Sequence, residues 1–358
     1  MAVSVAYLNR IATAVPPHDV HAAFVNFADR LLRDRREHAL FRRMADRSQI
    51  AHRWSCLAPT GPGANEAIDT TGFYRFGSFP STADRMRRYE AEAPDLVTRA
   101  VERLDLGLDP SPPTHLIIVS CTGLSAPGLD FTVIDRFGLD PSIERTVIGF
   151  MGCYAAINGL KLARHIVRAE PKARVLLVCI ELCTLHLQES TDLEQVLTFL
   201  IFGDGCAAAL ISAEPLGFAL DGFQAIRVPG TAEQITWQIR DCGFDMTLSG
   251  RVPGSIADGL RSASGRMLPD GPDAIDLWAV HPGGRSVLDA VETALDLPAS
   301  ALATSRDILR TYGNMSSATV LFVLEEMLRE GRGGRSGCAM AFGPGLMAET
   351  MRFSSARH

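Results

Sequence analysis

The chain has 358 residues, 47% hydrophobic and 21% charged, proportions that exclude a small stapled scaffold and a disordered chain. Its 41 acidic side chains outnumber 35 basic ones for a net charge of −6, which argues against a nucleic-acid partner. No apolar run reaches the roughly 20 residues that cross a bilayer, and the N-terminus lacks the features of a signal peptide, so the protein is expected to be cytoplasmic.

Residues 22–52 carry helical periodicity and a basic cluster, Arg33, Arg35, Arg36, Arg42, Arg43 and Arg47. Residues 54–83 are rich in Gly, Pro, Thr and Ser and predict a long irregular segment, followed by a helix over 83–104. Apolar strands then alternate with helices: strands at 115–120, 146–151, 174–181 and 206–212, helices at 128–137 and 153–169. The pattern returns with a strand at 275–280, a helix at 285–296, a helix headed by Asn314 and a strand at 338–342. Continuous apolar strands between helices predict an α/β protein whose mixed sheet is covered on both faces, with a division into halves at 1–214 and 215–358.

Eight cysteines are scattered through the chain, most of them in apolar runs. No Cys-x-x-Cys or His-Glu-x-x-His spacing appears, so neither a disulfide framework nor a metal site is expected. Cys153 differs from the rest by position. It follows a strand and Met151-Gly152 and opens a helix, where free N–H groups and the positive dipole end favour a thiolate. His281 ends an apolar strand before Pro-Gly-Gly, where an imidazole can exchange protons near neutral pH. Asn314 precedes a helix; it is either an N-cap or an amide donor aimed at a developing oxyanion. Taken singly, each has an ordinary structural reading. Together they supply a nucleophile, a base and an oxyanion donor for acyl transfer.

Met151-Gly-Cys153, Phe202-Gly-Asp-Gly, His281-Pro-Gly-Gly, Gly313-Asn-Met-Ser-Ser-Ala318 and Gly343-Pro-Gly345 together resemble the type III polyketide synthases, the chalcone and stilbene synthase family. The resemblance implies a thiolase-like fold of two similar α/β halves layered α-β-α-β-α, working as a homodimer. It implies that an acyl-CoA starter is loaded on Cys153 and extended with malonyl-CoA, without a cofactor. His281 and Asn314 would assist decarboxylation and stabilise the enolate. It further implies Phe202 as a gatekeeper between the cavity and the CoA tunnel, and Arg43 and Arg47 as holders of the CoA phosphates. Pro344 falls in the Gly-Pro-Gly motif beside the cavity, and Cys121, Thr122 and His186 fall where the family lines its starter pocket.

Several positions depart from the plant pattern. Met246 takes the place of a second gatekeeper phenylalanine, Trp237 that of a glycine, Ala126 that of a methionine at the dimer interface, and Leu40 that of a third cation. The mostly non-aromatic pocket points to an aliphatic starter and an alkylpyrone or alkylresorcinol-type product. The bulk of Trp237 favours instead a short starter, or malonyl-CoA alone, giving a small polyhydroxylated aromatic. A ketoacyl synthase III shares Cys, His and Asn, but the residues after His281 and Asn314 suit it less well. A papain-like peptidase shares their order but not the expected cysteine context. A catalytically dead binding protein is disfavoured by the presence of all three residues.

Overall fold

Apolar runs bounded by Gly, Pro and Thr become the strands of a computed structural model that describes residues 4–32, 34–61, 66–108, 111–331 and 333–356. Arg33 and positions 62–65 of the Gly- and Pro-rich segment lie outside the described residues. In chain order the strands are β1 (Tyr7–Ala14), β2 (His18–Asp19), β3 (Trp54–Ser55), β4 (His115–Ser120), β5 (Glu144–Gly149), β6 (Val175–Leu182), β7 (Asp204–Ser212), β8 (Phe218–Arg227), β9 (Ile235–Arg240), β10 (Gly243–Leu248), β11 (Leu277–Val280), β12 (Ser336–Gly343) and β13 (Met347–Ser355). The helices are α1 (His21–Leu31), α2 (Arg35–Ser48), α3 (Thr82–Leu104), α4 (Leu129–Phe137), α5 (Ala155–Ala169), α6 (Leu193–Phe199), α7 (Val252–Met267), α8 (Arg285–Ala294), α9 (Ala303–Tyr312) and α10 (Thr319–Arg329).

Nine strands form one mixed sheet in the order β11-β12-β13-β8-β1-β7-β6-β4-β5. β4 runs parallel to β5 and β6, and β11 parallel to β12, while the other ladders of this sheet are antiparallel. β1 meets β8 through only two residue pairs, Tyr7 with Ala219 and Leu8 with Phe218, so the sheet narrows to a seam there.

Successive side chains of a strand point to opposite faces, and the core divides accordingly. Leu176, Val178 and Ile180 of β6 pack with Leu96 and Val97 of α3, while Val175, Leu177 and Cys179 pack with Ile157 and Leu160 of α5 and Leu321 of α10. Across the seam, Ala339 and Ala341 of β12 join that same central cluster. Cys338, Met340 and Phe342 face the opposite way, onto Ile256 and Leu260 of α7 and Leu288 of α8. The middle helices therefore touch both ends of the sheet: α5 lies on β4, β6, β7 and β13, and α10 on β1, β7, β11 and β12. The result is the α-β-α-β-α layering that the resemblance implied.

Three boundaries differ from expectation, each at a chemically important turn. The strand expected to reach 151 stops at Gly149, because Phe150 turns into the left-handed region at φ 56°. The helix expected from 153 starts at Ala155, which leaves Cys153 in the turn before it. The helix expected directly after Asn314 is preceded by a 3-10 turn, Ser316–Ala318, entered through Ser316 at φ 48°. Residues 215–274 carried no expected element, yet they form β8, the β9–β10 hairpin and α7.

β5 is an edge strand bonded only to β4, and its exposed face continues into apolar surface. Val147, Phe131, Leu124 and Met151 are all exposed there, Val147 by 52%.

Candidate active site

The position of Cys153 depends on one glycine. Gly152 has φ +82°, and a Cβ there would stand 2.3 Å from Cδ of Pro344. Only a residue without a side chain lets the chain turn from β5 into α5 against the Gly343-Pro-Gly345 strap. Cys153 thus faces a cavity just ahead of the N-terminus of α5, and its thiol donates to Ser316 Oγ at 3.7 Å. Burial pushes the thiol up to about 11, although the Ser316 hydroxyl pulls the other way.

His281 follows β11 directly. Its N–H donates to Met340 O at 2.7 Å, and its carbonyl accepts from Gly283 N at 2.9 Å. The ring is buried, and neither Nδ1 nor Nε2 has a hydrogen-bond partner among the described residues. Burial alone drives its pKa down to about 3.

Asn314 is tied at both its backbone groups: its N–H donates to Ile201 O at 2.8 Å, and its carbonyl accepts from Gly203 N at 3.0 Å. It therefore pairs with Phe202 as a short parallel bridge. Its side-chain Oδ1 accepts from Ser316 N at 2.8 Å, which leaves Nδ2 as the donor, held at 3.3 Å from Gly283 O. Asn314 thus supports the turn with its oxygen while its amide nitrogen stands at the cavity wall, an arrangement compatible with either sequence reading.

Cys153, His281 and Asn314 share a cavity of about 700 Å³. An inner cavity of about 30 Å³ adjoins Cys153 and is lined by Cys121, Thr122, Trp237, Met246 and Pro344. A back cavity of about 60 Å³ lies among Phe24, Leu57, Ile68, Leu187 and Arg53. Phe202 lines all three; Cys183 and Phe199 line both smaller ones. Trp237 and Met246 sit side by side because they are cross-strand partners in the β9–β10 hairpin. The indole is fixed by an Nε1–H donated to Cys121 O at 2.7 Å.

Three residues stand in surroundings that differ from expectation. His186 does not line any of these cavities. It stands behind Trp237, accepting at Nδ1 from Phe244 N at 3.1 Å, so its Nε2–H donates to Thr122 O at 2.6 Å. Burial holds this ring neutral, with a pKa near 3, and it stacks on Phe244 at 4.2 Å as a strut for the hairpin. Arg43, expected to work with Arg47, does not reach the cavity. Arg47 lies at its mouth beside Arg285, which donates to Arg47 O at 3.2 Å, whereas Arg43 is exposed one helical turn away. The expected thiolate of Cys153 finds no counter-ion at hydrogen-bond distance among the described residues. Cys153 and His281 are not hydrogen-bonded to each other, and burial without a counter-ion favours neutral thiol and neutral imidazole.

The site holds residues that sequence reading passed over. Glu181 is fully buried at the end of β6, where it accepts from Cys121 N at 3.0 Å, Thr122 Oγ1 at 2.8 Å and Ser317 Oγ. Burial raises its pKa to about 7, against the pull of those hydrogen bonds. A carboxylate closing an otherwise apolar strand was the available signal. Cys183, Phe199 and Ile235 carried none, and Ser316 was present only as part of the Gly313–Ala318 motif.

The sequence model of the N-terminal domain of chalcone and stilbene synthases matches residues 2–215, and that of the C-terminal domain matches residues 221–356. The chain is 33% identical to the alpha-pyrone synthesis polyketide synthase-like Pks18 of Mycobacterium tuberculosis, over 99% of this chain and 92% of that protein. Among solved structures, it is similar to PKS-I from the brown alga Ectocarpus siliculosus, with a TM-score of 0.87 and 28% identity over 99% of both chains. It is also similar to the C-terminal type III polyketide synthase domain of Steely1, a type I/III hybrid from Dictyostelium, with a TM-score of 0.89 and 26% identity over 99% of this chain and 100% of that one.

The raised pKa of Glu181 fixes a sign for stability. The folded state keeps this proton at pH values where the unfolded chain has released it, so between the ordinary glutamate value of 4.5 and about 7 the group's contribution to stability falls as pH rises. Glu181→Gln removes the titration. Urea unfolding should therefore show the variant gaining on the parent between pH 5 and pH 7.5, and a constant gap between them would mean that Glu181 does not titrate in this range.

Proposed function

Because the chain belongs to the chalcone and stilbene synthase family, the type III polyketide synthases, and so is an acyltransferase-type condensing enzyme that uses CoA thioesters without a cofactor, we propose how its residues divide that work. Cys153 is the nucleophile. As its sulfur attacks the starter thioester, its proton passes to the vacant imidazole nitrogen of His281. The imidazolium then returns a proton to the departing CoA sulfur. Malonyl-CoA follows, with its thioester oxygen between the ring N–H of His281 and Nδ2–H of Asn314. When the bond to the carboxylate breaks, CO2 leaves and the electron pair moves onto that oxygen, where the two donors stabilise the enolate. The enolate carbon attacks the Cys153 thioester and releases the sulfur for the next round.

The observation that carries this reading is His281. A buried imidazole with no protein partner on either nitrogen among the described residues, on the wall of the cavity it shares with Cys153 and Asn314, is open to a reacting group. Contact with Cys153 would also reverse the effect of burial on both residues, since each charge becomes the other's counter-ion. Arg47 and Arg285 at the mouth supply cations for CoA phosphates, and Phe202, where the three cavities meet, shields the carbanion from water. We assign the two halves as 1–214, carrying the cysteine, and 215–358, carrying His281 and Asn314.

The starter is best read as an aliphatic acyl group, giving an alkylpyrone or alkylresorcinol. Cys183 and Phe199 form a common wall between the inner cavity and the apolar back cavity, which offers space for a chain. Pks18, by its name, serves alpha-pyrone synthesis. A short starter is the second reading, favoured by the pinned indole of Trp237 and the small volume of the inner cavity. The working unit is a homodimer, joined where the unpaired edge of β5 and the apolar side chains of Val147, Phe131 and Met151 meet a second copy.

Incubation with malonyl-CoA and acyl-CoAs of increasing chain length, with products identified by mass, separates the two starter readings. Medium-chain acyl-CoAs should give the most product; product from malonyl-CoA or acetyl-CoA only would establish the short starter. His281→Ala should move the pH profile of Cys153 alkylation to higher pH than in the parent, because the thiol keeps its burial and loses its proton acceptor. Superimposable profiles would remove His281 as that acceptor. Sedimentation at micromolar concentration should give the mass of two chains, and a single-chain mass would exclude the dimer.

A further inference from the structure

The loop that carries Phe202 is held from behind by an unusual group. Arg53 is 2% exposed, and its Nη1 donates to two backbone carbonyls, Phe199 O at 2.9 Å and Phe202 O at 2.7 Å. Its Nε donates to His21 Nδ1 at 3.0 Å, and its guanidinium carbon lies 4.6 Å over the ring of Phe24. A buried cation this confined is costly to desolvate, so its partners must compensate it closely. Asp19 and Asp204, the latter at the start of β7 two residues beyond Phe202, are the carboxylates whose negative charge favours the cation.

The two carbonyls bracket the turn between α6 and β7. Ile201 and Gly203, either side of Phe202, are the residues bonded to the backbone of Asn314. Arg53 also packs against the start of that second segment: a Cβ on Gly313 would stand 2.9 Å from Arg53 Cγ and 2.8 Å from Ile201 O. One side chain therefore touches both strands of the Phe202–Asn314 bridge. We propose that Arg53 is a positioning residue, whose guanidinium, anchored on His21 and bonded through Nη1 to the Phe199 and Phe202 carbonyls, sets the gate ring and, through the backbone bridge, the aim of the Asn314 amide.

A lysine cannot reproduce this arrangement. Its ammonium could donate to both carbonyls, as the single Nη1 does, but it has no second nitrogen to reach His21 while doing so. His21 accepts because it is neutral; burial, reinforced by Arg53 itself, lowers its pKa to about 4. The proposal rests on Asn314 acting in decarboxylation, and the two ideas fail in different ways.

The test compares Arg53→Lys, His21→Phe and Asn314→Ala with the parent, measuring malonyl-CoA decarboxylation and Cys153 acylation on the same samples, with thermal unfolding as a check of folding. Arg53→Lys should lower the ratio of decarboxylation to acylation by about tenfold or more, because a misplaced donor weakens only the step that uses it. His21→Phe, which keeps the arginine but removes one of its anchors, should move the ratio the same way by less, and it serves if the lysine variant does not fold. A ratio equal to the parent's in both folded variants, with acylation and decarboxylation falling together, would show a merely structural arginine and overturn the proposal. Undiminished decarboxylation in Asn314→Ala would instead overturn the catalytic reading, and this proposal with it.

Discussion

A carboxylate that never meets water ties the site together. Glu181 closes β6, the last apolar strand before the cavity, and takes its hydrogen bonds from Cys121 and Thr122 after β4 and from Ser317 in the turn that carries Asn314. Ser317 lies 136 residues further along the chain, so the bond ties β6 to the turn that follows Asn314. Thr122 is fully committed, donating to Glu181 while accepting from Leu182 N at 2.9 Å. Removing any one donor would leave a buried acceptor short of partners, which is more expensive than the bond itself is worth. The floor of the cavity is therefore rigid, and the parts above it are held separately: the Phe202 loop by Arg53 and the Asn314 bridge, the hairpin of Trp237 and Met246 by the indole bond to Cys121 O.

Above that floor the chemistry is governed by desolvation. Cys153 and His281 are each pushed toward neutrality because the cavity offers no permanent counter-charge at hydrogen-bond distance. Such a site binds little charge at rest and responds strongly to any charge that enters or forms. A proton moved between the two residues, or an enolate formed under Asn314, finds donors that need no reorganisation from water. The cations stand outside, at the mouth, where Arg47 and Arg285 can meet the charged end of a CoA thioester while its reactive end enters the apolar interior.

How far the sequence revealed this follows from what each residue contacts. β4, β6, β7, β11 and β12 are buried on both faces and read as unbroken apolar runs. The β9–β10 hairpin was illegible because it is half-exposed, and Ile-Thr-Trp-Gln-Ile-Arg takes its place from tertiary contacts of Trp237 rather than from a buried face. Cys153, His281 and Asn314 were legible since each sits at a strand or helix junction marked by glycine or proline. His186 and Arg43 misled for opposite reasons. His186 was read as cavity lining, but its two ring nitrogens are spent on backbone groups of Thr122 and Phe244. Arg43 shares a helical stripe with Arg47, yet a stripe does not say which turn of the helix faces the cavity. Glu181 and Arg53 were passed over because a buried charge is recognised by its partners, which only the fold brings together.

The central claim is that Cys153 carries the acyl chain through the condensation, and intact-mass analysis followed by peptide mapping tests it most directly. The protein incubated with an acyl-CoA should gain the mass of one acyl group on the peptide containing Cys153. Added malonyl-CoA should then consume that adduct, through species heavier by successive ketide units. An adduct that maps to another of the eight cysteines, or that persists in Cys153→Ala, would contradict the account.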